Sequence, residues 1–263
     1  MFFDTHCHLD DKQFDADREE MFARAIQNGV TRFVNISYDL DSSKRSIALA
    51  HARPDVYAAI GIHPNDASHA DAGAYDALRA LAASPRVVAI GEIGLDYYWD
   101  AAPREVQREV FERQLDLAQE VNRPVIIHCR DKAGSYAAYD DVLAVLFGRD
   151  GLRGRVLLHA YAGSFEQAEK AIGQNYTLGF GGPISYPKSE NTREIAAWVP
   201  APNFVLETDA PYLPPQKFRG KRNEPGYIPL FAATLAKVRG MELAALADLT
   251  TRNANAFFGV PNT

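Results

Sequence analysis

Eight short apolar runs recur along the 263-residue chain, and their regular spacing constrains the fold more than any other feature. Successive runs start roughly 20 to 40 residues apart, which is the spacing of a strand, a helix and two loops. They are apolar nearly throughout, as expected of parallel strands covered on both faces. The runs begin at Phe2, Arg32, Val56, Val87, Pro124, Arg155, Tyr176 and Phe204.

The segments between these runs predict helices. In the clearest segment, Pro103 suits a first helical turn, and the apolar residues after it recur at helical spacing. Those residues are Val106, Val110, Phe111, Leu115, Ala118 and Val121. Other predicted helices start near Ala74, Ser135 and Ser164, and further helices are expected from Tyr227 onward.

Eight strand–helix units in a chain of this length predict an α/β fold of the (β/α)8 TIM-barrel type. We expect residues 1–263 to form a single domain, with extra helices near the C-terminal end. A doubly wound open sheet is the alternative, but such sheets usually carry a glycine-rich phosphate loop after the first strand. Here the first strand runs into the sequence HCHLDD instead.

The balance of charge narrows the range of partners. The net charge is −6 and the isoelectric point is about 5.7, which argues against a broad basic face that wraps duplex nucleic acid. No apolar run approaches the roughly 20 residues of a membrane span, and no secretory signal is visible. Two cysteines are too few for a disulfide framework, so we expect a cytoplasmic protein without membrane partners. Since no long apolar face is left unexplained, we expect a monomer.

Five of the seven histidines fall at or near the C-terminal ends of predicted strands, where barrel enzymes build their active sites. They are His6, His8, His63, His128 and His159. One histidine in such a place is usually a satisfied rim residue, but five at equivalent ends indicate a shared site. Glu92 and Asp209 also end apolar strands, where a lone buried carboxylate would be costly. A bound metal ion would explain the acids and the imidazoles together.

Strand alternation predicts how these side chains are aimed. Residues i and i+2 share a face, so His6 and His8 point the same way and Cys7 points away. By the same rule Cys129 should point away from the side of His128, which makes a thiolate ligand less suitable than an imidazole. Glu207 shares a face with Asp209, one step deeper, and suits a hydrogen-bonding role behind the ligands, as does Asp4 behind His6.

Counting the candidates gives six metal ligands, which is more than one ion with an open coordination position needs. The six are His6, His8, Glu92, His128, His159 and Asp209. Two ions that share a bridging carboxylate account for this number better. Paired ions can activate water and stabilise both the attacking and the leaving oxygens, which indicates hydrolysis, especially at phosphorus.

At this point the motifs resemble a known family, the TatD family of metal-dependent deoxyribonucleases, which is a branch of the amidohydrolase-like barrels. The matching pieces appear in family order over nearly the whole chain, and they are DTHCHLD, GIHP, GEIGLDYYW, PVIIHCRD, LLHAYAGS, LETDAPYLPP and RNEPGYIP. The resemblance implies a TIM-type barrel with a two-metal site. It also implies that His63 lines that site as a contact to the substrate or to a metal-bound water.

The resemblance further implies a division of the ligands between two ions. One ion would be held by His6, His8 and Asp209, and the other by His128 and His159. Glu92 would bridge them, in the position where some related amidohydrolases use a modified lysine.

The resulting hypothesis is metal-assisted hydrolysis of a phosphodiester. Asp209 is the candidate general base, and Glu92 sets the separation of the two divalent ions. Imidazoles suit zinc, manganese or nickel, whereas the resemblance implies activity with magnesium. We therefore expect magnesium or manganese to support activity and zinc or nickel to be possible as bound ions. The acidic chain and its recessed site favour an exonuclease on single-stranded or frayed DNA ends, with RNA as a further substrate.

The candidate substrate contacts rest on weaker patterns. Arg130 lies two residues after His128 and suits a phosphate, although an ion pair with Asp131 is the alternative. Arg219 and Arg222 belong to the basic stretch QKFRGKRNEP, which could equally be a solvated loop. Tyr161 stands where the family usually has phenylalanine and would bring a hydroxyl to the rim. The aromatic residues of DYYW could stack on an unpaired base or pack their own loop.

Two other functions remain open from the sequence. An amide, ester or lactone hydrolase, including an aminoacyl deacylase, could use the same metal site, but a neutral substrate would not need the basic stretch. A metal-binding scaffold without turnover is the second, and the full ligand set with a candidate base argues against it. A labelled oligonucleotide tested beside an ester panel would separate these functions.

Overall fold

The structure, a computed structural model, describes residues 1–261. Eight parallel strands form one sheet in which the neighbours follow the order of the chain. The strands are β1 (Phe2–Cys7), β2 (Val30–Ile36), β3 (Val56–Ile60), β4 (Val87–Asp96), β5 (Val125–Arg130), β6 (Val156–Leu158), β7 (Thr177–Phe180) and β8 (Phe204–Leu206). The helices are α1 (Arg18–Gln27), α2 (Leu40–Ala52), α3 (Ala72–Leu81), α4 (Arg104–Glu120), α5 (Ala137–Phe147), α6 (Phe165–Gly173), α7 (Glu190–Trp198), α8 (Ile228–Val238) and α9 (Leu243–Phe258).

The sheet curls until its first strand meets the segment that follows its last strand. The Asp209 amide donates to the His6 carbonyl at 2.8 Å, and the His8 amide donates to the Ala210 carbonyl at 2.7 Å. The predicted TIM-type barrel is therefore confirmed. The doubly wound alternative is wrong, because each described strand pairs with its neighbour in sequence and the strand order never reverses.

Two apolar clusters hold the barrel together. The larger one lies between the strands and the surrounding helices, and the smaller one gathers strand residues such as Phe3 and Val205. Ala254 and Phe258 of α9 belong to the smaller cluster. Because Phe3 and Val205 lie near the starts of their strands, α9 covers the N-terminal end of the barrel and leaves the opposite end free for a site.

Helix α4 carries two buried glutamines that fasten the C-terminal rim. The Gln107 side chain accepts from the Asp96 amide at 2.8 Å and donates to the Ala102 carbonyl at 2.9 Å. One heptad later, the Gln114 side chain pairs with both backbone groups of Ile62. A buried amide satisfies the donor and acceptor of an irregular backbone segment at once, so these residues fix the loops after β3 and β4.

Cys7 and Cys129 are both free and buried. The Cys7 thiol donates to the Val34 carbonyl at 3.3 Å, on the side away from the histidines, as alternation predicts. Between residues 1 and 261, no helix is both long and apolar enough to cross a membrane.

Candidate active site

The six predicted metal ligands converge at the C-terminal rim of the barrel, although they come from five different strands or strand ends. Their side chains are recessed, with exposed fractions from 0% for His6 to 15% for Asp209. Residues far apart in the chain meet here because parallel strands of a barrel deliver their C-terminal ends to one face. The ligands form two groups that meet at Glu92.

The first group consists of His6, His8 and Asp209, whose ligand atoms lie close enough to surround one ion. Oδ1 of Asp209 is 3.5 Å from Nε2 of His6 and 3.4 Å from Nε2 of His8. Nδ1 of His8 donates to the Ile36 carbonyl at 3.0 Å. That bond places the hydrogen on Nδ1 and leaves the lone pair of Nε2 facing Asp209, as a metal ligand requires.

The second group consists of Glu92, His128 and His159. Oε1 of Glu92 is 2.6 Å from Nδ1 of His128 and 2.7 Å from Nε2 of His159. The two ring nitrogens are 3.5 Å from each other. Three polar atoms therefore converge on one small volume, and the hydrogen bond between Nδ1 of His128 and Glu92 occupies positions from which both groups could bind a cation.

Glu92 connects the two groups through its second oxygen. Oε2 of Glu92 is 3.4 Å from Nε2 of His6, while Oε1 faces the other two imidazoles. His6 is fully buried, and neither of its ring nitrogens has a hydrogen-bond partner among residues 1–261. A buried imidazole left this way is costly unless it binds something else, and a metal ion fits that need.

The electrostatics of the site favour charged carboxylates. Burial opposes ionisation of Glu92, but the imidazoles of His159, His6 and His128 outweigh it and hold its pKa well below the ordinary value. Burial also opposes ionisation of Asp209, yet its contacts with His8 and His6 lower the pKa. The site therefore presents two anionic carboxylates among imidazoles, which is a ligand set suited to divalent transition metals.

The family comparison agrees with this geometry. The sequence matches the family described as TatD related DNase over residues 3–259. The chain belongs to the TatD family. The chain is accordingly a metal-dependent hydrolase, and the resemblance found from the motifs is confirmed.

Individual relatives in the TatD family match the chain over its length. A protein of Bacillus subtilis named uncharacterized metal-dependent hydrolase YabD is 39% identical over 262 residues, which cover 99% of this chain and 100% of that one. The 3′-5′ ssDNA/RNA exonuclease TatD of Salmonella typhimurium is 34% identical over 264 residues, covering 98% and 99%. The crystal structure of the TatD homolog YjjV from Escherichia coli superimposes with a TM-score of 0.91 at 33% identity, covering 99% and 98%.

Two carboxylates that support the imidazoles stand behind the ligands of this TatD-family site. Oδ2 of Asp96, the last residue of β4, is 2.9 Å from Nε2 of His128. Oε1 of Glu207 is 3.6 Å from Nδ1 of His159 and accepts from the Ala160 amide. A carboxylate hydrogen-bonded to a histidine ligand fixes its tautomer and orientation, as Asp96 does for His128. Nδ1 of His159 has no hydrogen-bond partner among residues 1–261, so Glu207 acts on that ring through its charge. Glu207 was expected from alternation, whereas Asp96 was missed.

The Glu207 carboxylate is accommodated by a glycine on the neighbouring strand. A side chain at Gly179 would collide with that carboxylate, so only glycine leaves room for it. At the adjoining seam between β8 and β1, the carboxylate of Asp4 accepts from the Thr208 amide at 2.9 Å and from its hydroxyl. Asp4 thus ties β1 to the segment that carries Asp209.

His63 lies at the edge of the second group, with Nε2 4.0 Å from Oε1 of Glu92. Its Nδ1 accepts from the Asn65 amide at 3.1 Å, so the hydrogen of the neutral ring is on Nε2. Burial lowers the pKa of His63 to about 3, so the ring is neutral at ordinary pH. This tautomer makes His63 a hydrogen-bond donor that faces the site, which favours the substrate-contact role over a ligand role.

The substrate contact of Tyr161 stays a prediction, and the structure gives this side chain other partners. The side chain is buried, and its hydroxyl donates to the Ser164 carbonyl at 2.8 Å. Its ring packs edge-on against Tyr139. The hydroxyl of Tyr161 therefore stabilises the turn that leads into α6. The sequence alone did not reveal this nearby backbone acceptor.

The arginines predicted to bind substrate have three different environments. Arg222 forms ion pairs with Asp17 at 2.6 Å and with Glu224 at 2.8 Å, so its guanidinium is already occupied. Arg219 is exposed and lies over the ring of Tyr186. Arg130 is exposed and has no carboxylate partner among residues 1–261.

The alternative for Arg130, an ion pair with Asp131, is wrong. The Asp131 carboxylate instead accepts from the Ala138 amide and the Ser135 hydroxyl at the start of α5. Because these backbone and hydroxyl donors satisfy Asp131, the charge of Arg130 is left available at the rim.

Proposed function

We propose that this chain hydrolyses phosphodiester bonds at the ends of single-stranded DNA or RNA, using two divalent metal ions. The observation that carries the proposal is the position of Glu92, with one oxygen beside His6 and the other between His128 and His159. A carboxylate placed this way suits a bridge between two ions. We propose His6, His8 and Asp209 as the ligands of one ion and His128 and His159 as those of the other.

When bound, the two ions would activate a water molecule and stabilise negative charge on the phosphoryl oxygens. Asp209 accepts the proton of the attacking water, because its carboxylate is anionic and is the most exposed of the six ligand side chains. The water oxygen forms a bond to phosphorus as the bond from phosphorus to the leaving oxygen breaks. Nε2 of His63 donates a hydrogen bond to an oxygen of the phosphate.

Access to the site favours a strand end. The ligand side chains are at most 15% exposed, so a phosphodiester must enter the recess to reach them. A single strand can do this, whereas intact duplex finds no broad basic face on an acidic chain. The relative from Salmonella typhimurium is named a 3′-5′ exonuclease, and we propose the same polarity here.

The donor set supports a range of divalent metals. Four imidazoles suit manganese, zinc or nickel, and the two carboxylates also accommodate magnesium. We propose that magnesium or manganese supports turnover and that zinc or nickel can be retained on purification. We further propose that residues 1–263 act as one catalytic domain, since strands from β1 to β8 contribute to the site.

The direct test is cleavage of a 3′-labelled and a 5′-labelled single-stranded oligonucleotide, with and without a chelator, beside an amide and ester panel. We expect stepwise loss from the 3′ end, abolition by chelator and recovery with manganese or magnesium. Asp209→Ala and Glu92→Ala should lose activity even with added metal, whereas His69→Ala, at an exposed histidine outside the site, should not. Near-normal turnover of both site variants would overturn the assignment. Hydrolysis of the amide or ester panel alone would replace it with the alternative substrate class.

A further inference from the structure

Three exposed side chains form a cluster at the adjacent ends of β4 and β5, and we name it the aromatic–arginine cluster. Trp99 is 61% exposed and Tyr98 is 42% exposed. Their rings are nearly perpendicular, with centroids 4.9 Å apart. The guanidinium carbon of Arg130 lies 4.3 Å from the Tyr98 centroid and 5.6 Å from the Trp99 centroid. A large aromatic surface is exposed to water here, whereas proteins usually bury such surface by packing.

The backbone of the cluster is held rigidly. Oδ1 of Asp96 accepts from the Tyr98 amide at 2.9 Å and from the Trp99 amide at 2.8 Å. The backbone of Asp96 is in turn fixed by the buried side chain of Gln107. These hydrogen bonds hold the loop in a conformation that leaves both rings exposed. A ring that is already held in place loses little conformational entropy when it binds a ligand.

The same Asp96 carboxylate ties the cluster to the proposed metal centre. Its Oδ2 is 2.9 Å from Nε2 of His128, whose opposite ring nitrogen faces Glu92. One buried carboxylate thus sets the position of a proposed metal ligand and of Trp99 together. A substrate that reaches the metals would pass beside this cluster.

The chemistry of the cluster selects the class of ligand. The Arg130 guanidinium has no carboxylate partner among the described residues, so its forked donors remain available to an anion. Nearby Lys132 and Arg104 both pair with Asp100 on the surface of the same loop. An aromatic face beside a free guanidinium is the combination that binds an unpaired base and its phosphate. Paired bases in a duplex would not expose their faces to it.

We propose that the aromatic–arginine cluster is a nucleotide subsite, in which Trp99 stacks on an unpaired base and Arg130 binds the neighbouring phosphate. The subsite deepens the proposed function and rests on it, since it holds the strand whose end enters the metal centre. It favours single-stranded over double-stranded ends, because only an unpaired base offers a free face. The ring of Tyr98 packs against the guanidinium of Arg130.

Fluorescence provides the test, because the chain has only two tryptophans, Trp99 and Trp198. Trp198 is 40% exposed on α7 and packs against Phe165, which makes it a matched control outside the rim. In the metal-loaded Trp198→Phe variant, Trp99 alone reports binding. The probes are a phosphorothioate-linked oligothymidine that resists hydrolysis, the same backbone with abasic sugars, and a blunt duplex.

We expect the base-containing strand to quench Trp99 and to bind roughly 5- to 100-fold more tightly than the abasic strand. Trp99→Ala should remove that difference, whereas Trp198→Ala should keep it. Arg130→Gln should reduce the slope of log binding constant against log salt by about 0.7, as expected when one phosphate of a single strand is no longer neutralised. Equal binding of base-containing and abasic strands by the wild-type protein, or no effect of Trp99→Ala, would overturn the subsite.

A base-free substrate separates this proposal from the proposed function. Bis(4-nitrophenyl) phosphate needs the metal centre but has no nucleobase, so its hydrolysis by the wild-type protein and by Trp198→Ala tests the metal centre, whereas loss of the preference for base-containing strands in Trp99→Ala tests the subsite. A wild-type protein that hydrolyses neither this ester nor DNA would overturn the proposed function. The binding comparison would still judge the subsite, since it uses a strand that is not cleaved.

Discussion

Two basic regions lie at the rim of the barrel, and the sequence makes the longer one look the more important for binding. The stretch 217–222 contains four cationic residues, while Arg130 stands between a histidine strand and an acidic residue. The structure reverses their apparent importance. Arg222 is paired with Asp17 and Glu224, whereas the guanidinium of Arg130 lies over aromatic rings and has no carboxylate partner among residues 1–261. A run of positive letters therefore overstates the charge available to a ligand when carboxylates distant in sequence neutralise it.

The pairing at Arg222 belongs to a larger network. Arg24 of α1 contacts the same two carboxylates, Asp17 at 2.7 Å and Glu224 at 2.8 Å. Two guanidinium groups and two carboxylates thus join α1 to the segment before α8. The network stabilises the loop after β8 but does not offer a charge to the substrate, whereas the aromatic–arginine cluster offers a charge and is held by Asp96.

The largest expected effect comes from removing that anchor. Asp96→Asn takes away the carboxylate that fixes the His128 tautomer, and we expect metal affinity to fall by roughly 10- to 100-fold. Competition with a chelating dye measures this without reference to activity. Asp100→Asn is the control, because its carboxylate pairs with Arg104 and Lys132 on the surface of the same loop. Equal metal affinity in both variants would show that Asp96 does not position the ligand.

The second effect concerns stability at the other region. Arg222→Ala leaves Asp17 and Glu224 with one guanidinium instead of two. We expect the free energy of unfolding to fall by about 1–2 kcal/mol. Oligonucleotide affinity should stay unchanged, in contrast to Arg130→Gln. Chemical denaturation measures the stability, and a binding titration on the same sample measures the oligonucleotide affinity. A loss of affinity without a loss of stability would return Arg222 to the substrate contacts.

The pH dependence of that network gives a smaller effect. The hydrogen bond from Arg222 holds the pKa of Asp17 well below its ordinary value. A carboxyl group with a lowered folded pKa stabilises above the unfolded pKa, near 3.9, and this contribution is lost as pH falls further. Wild type should therefore exceed Asp17→Asn in melting temperature at pH 7, and the gap should narrow below about pH 4. A gap that widens with acid would contradict the ion pair.

The smallest effect is expected at Arg219. Its guanidinium lies over Tyr186 at 5.0 Å and is exposed on the loop, where salt screens it. Arg219→Gln should lower the salt dependence of oligonucleotide binding by less than Arg130→Gln does. A larger change at Arg219 would mean that the loop after β8, and not the aromatic–arginine cluster, carries the main phosphate contact.

The fold was predictable because its signals are local. Each strand is a short apolar run, and all eight appear within about two residues of their predicted starts, as with Val30 against the expected Arg32. The convergence of the six ligands followed from strand ends and from alternation, which are properties of the backbone. That is why His6 and His8 could be placed beside Asp209 from the sequence.

The remainder depended on partners that the sequence does not specify. Asp96 is the last residue of β4, and Glu92 ends the apolar run within the same strand. The position of Asp96 at the end of a strand was the signal that could have identified it. Its hydrogen bonds could not be read, because β4 extends further than the apolar run suggests. The partners of Tyr161 and Arg222 could not be predicted either, because they are a nearby carbonyl and a carboxylate 205 residues away.

We propose that six residues of the rim hold two metal ions with Glu92 between them. Diffraction from crystals grown with manganese, collected where manganese scatters anomalously, tests it most directly. We expect two anomalous peaks, one against His6, His8 and Asp209 and one against His128 and His159, with Glu92 contacting both. A single peak, or two peaks that do not share Glu92, would contradict it.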